Sequence, residues 1–280
     1  MVSKAKKRTM SMELALNHNL KIVSDISSKA VRHALENLKR DIGNTCCKTE
    51  KEGIELVLEQ EALHKECFLL IENQEKNQLI LRSGSDLGFV YGIYEISREI
   101  LGVTNFWFWN DQKFQKQEQY AIPENYKVES RPFAVKLRGW FLNDEVLLKE
   151  WEVDYKKEKP WEMALEALLR CGGNMVIPGT DKNSRLYRNM ASDMGLFITH
   201  HHAEPLGAEM FARAYPDLEA SYDVHGEKFQ ELWKKAMEEQ KDLNVVWNLG
   251  FRGQGDRPFW EDDPAYVTPQ TRGKLMGQLI

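Results

Sequence analysis

The chain has no apolar run approaching the roughly 18 residues needed to span a bilayer. Residues 1–30 lack the apolar segment of a secretion signal, so the expected location is cytoplasmic, with no membrane partner. It also lacks a dominant charge: the formal net charge is −5 and the pI is ≈ 5.9. That balance leaves no electrostatic footprint for nucleic acid, and the short basic start at residues 4–8 reads as a solvated tail. Cysteine is scarce. Cys46, Cys47, Cys67 and Cys171 form neither a CxxC pair nor a metal-type spacing, which speaks against zinc or redox motifs and for reduced structural thiols. No cofactor is expected.

The chain does have apolar and aromatic residues. Hydrophobic residues make up 42% of the 280 and aromatics 10%, with eight tryptophans, so disorder is not expected. Flat rings suit sugar faces in binding loops, but they also fill cores, and the core is the first reading for most of these tryptophans. Residues 27–42 carry Val31, Ala34, Leu35, Leu38 and Ile42 at helical spacing, with Gly43 as a stop. Three short β-like runs follow, at 54–58, 67–71 and 78–81. From Asp86 a second helix is apolar on two faces, with Leu87, Val90, Tyr91 and Tyr94 on one and Phe89, Ile93, Ile96 and Ile100 on the other, so both sides are buried. These elements predict a small two-layer α/β domain over residues 1–125. The stretch 111–131, rich in Gln, Lys and Glu, reads as a linker.

Beyond Pro132 the rhythm becomes strand, helix, strand, helix. Strands are predicted at 135–140, 174–178, 196–199 and 245–249. Helices are predicted at 161–171, around Leu186, Met190 and Met194, after Asp223 (burying Phe229, Leu232, Trp233 and Ala236), and from Thr268 onward. Alternating βα units imply a parallel sheet. Four of them, over residues 133–280, make the first half of a TIM-type (β/α)8 barrel. A half barrel leaves sheet edges unpaired, so the remaining units are expected in the same or another chain.

Three of these strands run out into polar clusters, the place where barrels carry their chemistry. The first exit holds Asn143, Asp144 and Glu145, the third His200, His201, His202 and Glu204, and the fourth Asn248 followed by Arg252, Gly253, Gly255, Asp256 and Arg257. Consecutive residues on a strand point to opposite faces, so the three histidines do not form a metal site; no metal is expected.

With these clusters placed, the chain resembles glycoside hydrolase family 115, the α-glucuronidases that remove glucuronic or 4-O-methylglucuronic acid from xylan. The matching elements are Phe141-Leu142-Asn143-Asp144-Glu145, the Gly173-Asn174 step, His201-His202-Ala203-Glu204-Pro205, and Arg252-Gly253-Gln254-Gly255-Asp256. Residues 84–95 with Trp107-Phe108-Trp109 resemble the α/β domain that precedes the barrel in that family and in hexosaminidase-type families. Ala203 between the histidines and Glu204, and Arg257 after Asp256, depart from the family pattern.

The resemblance implies an inverting hydrolysis of glucuronoxylan or aldouronic oligosaccharides, in which two carboxyl groups stand roughly 6.5–9.5 Å apart. Asp256 and Glu145 lead as catalytic carboxylates, with acid and base unassigned between them, and Glu204 is the third candidate. Arg252 suits the substrate's own carboxylate because a guanidinium grips it with two parallel bonds. His201, His202, Asn143, Asp144, Asn174 and Asn248 are candidates for contacts to sugar hydroxyls. Trp260 is the candidate stacking platform, whereas Trp140 and Trp247 are assigned to the core. Alternatives stand beside this reading. Asp144 or Glu145 can cap a helix, Asp256 can pair with an arginine, Glu204 can orient a histidine, and the asparagines can satisfy turn backbone. At the level of the protein, the alternatives are a hexosaminidase-like glycosidase and a non-catalytic carbohydrate-binding module.

Overall fold

The computed structural model describes residues 14–250, 252–254, 257, 258, 260, 261 and 263–279. It divides into two compact units, Met1–Lys136 and Leu137–Ile280. No helix among the described residues is long and apolar enough to cross a membrane.

In the first unit, strands β1 (Ala15–Asn17) and β2 (Lys21–Val23) precede helix α1 (Lys29–Thr45). Ser28 caps α1, its side chain accepting from the Val31 amide, and the stripe Ala30, Val31, Ala34, Leu38 and Ile42 is buried. The helix does not stop at Gly43. It runs to Thr45, and the chain then turns extended at Cys46, which bridges to Gln117. A remote pairing sets the end of the helix there, and the glycine is passed over.

Strands β3 (Glu55–Gln60), β4 (Phe68–Asn73) and β5 (Gln78–Ser83) form the heart of a five-stranded sheet. Leu56, Leu58, Leu70, Leu79 and Leu81 are buried in it. Helix α2 (Asp86–Glu95), capped by Ser85, is buried from Leu87 to Tyr94 and passes into a π turn at Ile96–Ile100. Its glycines permit close approach to the sheet: a Cβ on Gly88 would sit 2.4 Å from the Cys67 carbonyl oxygen, and one on Gly92 would sit 2.3 Å from a Leu81 methyl.

The stretch expected as a linker is instead part of this unit. Strand β6 (Gln119–Ala121) pairs antiparallel with β1, and β7 (Lys127–Glu129) pairs antiparallel with β4 at the edge of the sheet, whose order is β2-β3-β5-β4-β7. Three-residue strands that alternate exposed and half-buried positions carry too little apolar signal to stand out from a linker.

The second unit holds the parallel sheet. Strands β8 (Gly139–Phe141), β9 (Met175–Ile177) and β10 (Phe197–Ile198) pair in parallel in the order β10-β9-β8. The predicted fourth strand is reduced to one parallel bridge, Val245 with Ile198, held by two backbone bonds of 2.8 Å. The sheet is open; no closed barrel forms among the described residues. Helix α3 (Lys159–Arg170) follows β8 and buries Trp161, Ala164, Leu165, Leu168 and Leu169.

Helix α4 (Asp181–Asp193) follows β9 with Met194 buried and Met190 half-buried, as expected, but with Leu186 turned outward. Leu186 is 56% exposed, while Ser184, Arg188 and Ala191 are buried. Arg188 pairs there with Glu239 at 2.7 Å, so a polar contact joins the apolar residues on the inward face. Helices α5 (Phe211–Ala214) and α6 (Tyr222–Glu239) follow β10. The hairpin β11 (Arg252–Gln254) and β12 (Arg257–Pro258) and helix α7 (Pro269–Leu279) complete the unit. Phe211, Phe229, Tyr266 and Leu275 form a local core into which Trp260 packs.

Candidate active site

The carboxyl ends of β8, β9 and β10 bring three loops to the first turn of α4. Asp144, from the β8 exit, is buried; its Oδ1 accepts from the Thr180 amide at 2.8 Å and the Thr180 hydroxyl at 2.9 Å, and its other oxygen accepts from Asn183. It therefore caps a helix belonging to the next βα unit, where unpaired amides and the helix dipole favour negative charge. Gly179, at φ +116°, wraps this carboxylate closely: a Cβ there would lie 3.3 Å from the Asp144 Cγ.

Glu204, from the β10 exit, reaches the same helix start and accepts from the Asp181 amide. It is 2% exposed. Burial pushes its carboxyl up to about 7, assisted by the charges of Asp181 and Asp144 and opposed by the Asp181 amide and by Arg185. A carboxyl that stays protonated near neutral pH is able to donate a proton to a leaving oxygen.

Asp181, whose amide binds Glu204 and which follows the Thr180 bonded to Asp144, was not among the residues singled out from sequence. It holds a left-handed backbone at φ 43°, and its buried carboxylate pairs with Arg185 at 3.1 Å and with Arg213 on α5. Non-glycine residues in this region are uncommon and tend to mark functional sites. The Gly179-Thr180-Asp181 run at a strand exit was its available signal, but such runs also open ordinary helices.

The histidine loop separates its three members. His200 is buried against Gly207, and burial, with the neighbouring Arg188 charge, lowers its imidazole to about 4. The His201 ring stacks on Phe141 at 5.4 Å between centroids, and His202, at 3.9 Å from His201, is exposed. Asn248 holds this loop by donating to the His201 carbonyl at 2.9 Å, so its side chain satisfies turn backbone. No group of three His, Cys, Asp or Glu residues among those described is placed to hold a metal ion.

Other predicted residues are distributed more widely. Asn143 and Glu145 are exposed beside Asp144 at the β8 exit. Asn174 is buried at the amino end of β9, where its Oδ1 accepts from the Arg138 amide at 2.8 Å, so it lies at the end of the strand opposite the cluster. Arg252 lies on β11, half-buried, opposite Pro258. Asp256 lies outside the described residues. Trp260, expected as a stacking platform, packs into the local core, whereas Trp247, expected in the core, is 40% exposed.

The exits of these parallel βα units thus gather three buried carboxyl groups, Asp144, Asp181 and Glu204. Residues 130–280 match the model of Glycosyl hydrolase family 115, and the chain belongs to that family. Among solved structures it is similar to a family 115 4-O-methyl-α-glucuronidase with specificity for decorated arabinogalactans, at 19% identity and a TM-score of 0.67 over 95% of this chain and 40% of that one. It is similar also to the chitobiase of Flavobacterium johnsoniae, at 12% identity and a TM-score of 0.58 over 96% of this chain and 48% of that one. The family 20 exo-β-N-acetylglucosaminidase of Vibrio harveyi gives 13% identity and a TM-score of 0.55 over 96% and 48%. No curated protein matches the chain. The chain thus spans less than half the length of each of these three structures.

Proposed function

We propose that the protein is an α-glucuronidase that releases glucuronic or 4-O-methylglucuronic acid from glucuronoxylan or aldouronic oligosaccharides by an inverting, two-carboxyl mechanism. The observation that carries this reading is Glu204: a buried carboxyl at a strand exit, raised to about 7, in a chain of family 115. Glu204 acts as the acid, protonating the glycosidic oxygen as the bond to the anomeric carbon breaks. Asp256 or Glu145 acts as the base, taking a proton from the water that attacks the opposite face of the ring. Asp144, fully bonded to the start of α4, positions the β9 exit loop and takes no proton in the reaction. Residues 1–125 serve as an accessory α/β domain of the hexosaminidase type, and 133–280 supply the first half of the catalytic barrel.

The similar family 115 enzyme has specificity for decorated arabinogalactans, so that polymer belongs in the assay beside xylan fragments. A hexosaminidase mechanism would use an adjacent acidic pair, and Asp144-Glu145 is the adjacent pair at these exits. Capping of α4 commits Asp144 elsewhere, which favours the glucuronidase reading. The test is release of free uronic acid from aldouronic oligosaccharides and from arabinogalactan by the full-length protein, by Glu204→Gln and by Asp256→Asn. Release that collapses in both variants supports the reading. An inactive wild type, or an active Glu204→Gln, overturns it.

A further inference from the structure

We propose that Arg213 is the specificity-determining residue of this site, and that its guanidinium receives the carboxylate of the uronic acid. The inference rests on the α-glucuronidase reading above and deepens it. An anionic sugar approaching a cluster that already holds Asp144, Asp181 and Glu204 needs a cation that is fixed in place and still has donors to offer.

The arginines of the second unit differ in this respect. Arg170 and Arg188 are buried against Glu166 and Glu239, each at 2.7 Å. Arg185 is used at both ends, with one amino group on Asp181 at 3.1 Å and the other on Glu209 at 3.4 Å. Arg138 donates through Nε to the Gly172 carbonyl, and Arg272 through Nε to the Tyr266 carbonyl. Arg252, the arginine favoured from sequence, is half-buried and already engaged. Arg257, exposed on β12, is engaged as well. Arg213 differs: its side chain is 56% exposed, and among the described residues it is anchored through one amino group, Nη1, on the Asp181 carboxylate.

That anchor orients the guanidinium while Nη2 and Nε, the edge that binds a carboxylate with two parallel bonds, bond to none of the described residues. The anchoring residue is also the one whose amide binds Glu204. Asp181 thereby ties the carboxylate receptor and the proton donor to one residue at the start of α4, so a uronate held by Arg213 lies beside the acid.

The experiment compares two substrates of the full-length protein: an aldouronic oligosaccharide, and the same oligosaccharide with its uronate carboxyl reduced to a hydroxymethyl group. Arg213→Gln is expected to lower kcat/KM on the acid by about 100-fold, mainly through KM, while changing it on the reduced sugar by less than about 3-fold. Arg213→Lys, which keeps the charge and loses the fork, is expected to lie between wild type and Arg213→Gln on the acid. Lys182→Gln removes a neighbouring exposed charge and is expected to change kcat/KM on the acid by less than about 3-fold.

Equal loss on both substrates in Arg213→Gln would mean that the residue only supports Asp181, and it would overturn the assignment while leaving the glucuronidase reading intact. A large loss on the acid in Lys182→Gln with none in Arg213→Gln would also overturn it. A wild type that releases no uronic acid from the unreduced oligosaccharide overturns both.

Discussion

The two units bury different kinds of polar group. In the first, the described buried polar side chains are Asn17, Asn37, Thr45, Ser83, Ser97 and one carboxylate, Asp41, which Arg40 pairs at 2.8 Å. In the second they include Asp144, Glu166, Arg170, Asp181, Arg188, His200 and Glu204. The first unit joins strands of up to six residues into a five-stranded sheet beneath a helix buried almost throughout. The second pairs strands of two or three residues and spends its interior on charges and their partners. Buried ionisable groups are costly unless paired, and where they gather they mark chemistry more often than stability. The first unit thus rests on apolar packing, and the second gives up part of that packing to hold paired charges.

The largest expected effect tests the chemical half of this contrast. Glu204→Gln should lower uronic acid release by about 10²–10⁴-fold without lowering the melting temperature, because the amide removes an acid whose burial is unfavourable when ionised. A melting temperature that falls together with activity would place Glu204 in the scaffold. Next comes the scaffold half. Leu70→Ala should destabilise the first unit by about 2–5 kcal/mol, read by chemical denaturation, with kcat unchanged at temperatures well below the transition.

A pH series of urea denaturation sharpens the contrast further. Glu204 keeps its proton in the folded state up to about 7, against an ordinary 4.5. Its contribution to stability is therefore fully present below 4.5 and is lost as pH rises through 7. His200 is the reverse: lowered to about 4 from 6.5, it contributes above 6.5 and loses that contribution as pH falls through 4. Each is worth roughly 3 kcal/mol across its window, and between 4.5 and 6.5 the two slopes oppose each other. Glu204→Gln should uncover stability that rises with pH over that window, and His200→Phe stability that falls. Parallel profiles for the two variants would remove these groups from the folding balance. The smallest effect returns to the first unit: Gly43→Ala, with no atom within 4 Å of the added Cβ and a helical backbone, should stabilise by about 0.5–1 kcal/mol.

Much of the architecture is legible in residue patterns. The stripe Val31, Ala34, Leu38 and Ile42, the runs that become β3, β4 and β5, and the strand-helix alternation after Pro132 all correspond to elements in the structure. Each is a local apolar periodicity, and burial of one face is enough to specify it. The β6 and β7 strands were hidden because their stability comes from the partners they meet, β1 and β4, and not from their own side chains. Helix α4 buries Met194 as its pattern predicts but also turns Arg188 inward, which becomes acceptable only once Glu239, fifty-one residues away, is beside it.

The site divides along the same line. Sequence by itself placed Asp144, Glu204 and the histidines at strand exits, because exit position follows from the local strand pattern. Tertiary structure alone decided that Asp144 is spent on capping α4, that Glu204 is buried, that Asn174 sits at the far end of its strand, and that Asp181 bonds to both Glu204 and Arg213. The reason is physical: a side chain's protonation and orientation depend on desolvation and on partners distant along the chain, and neither is set until the βα units have packed together.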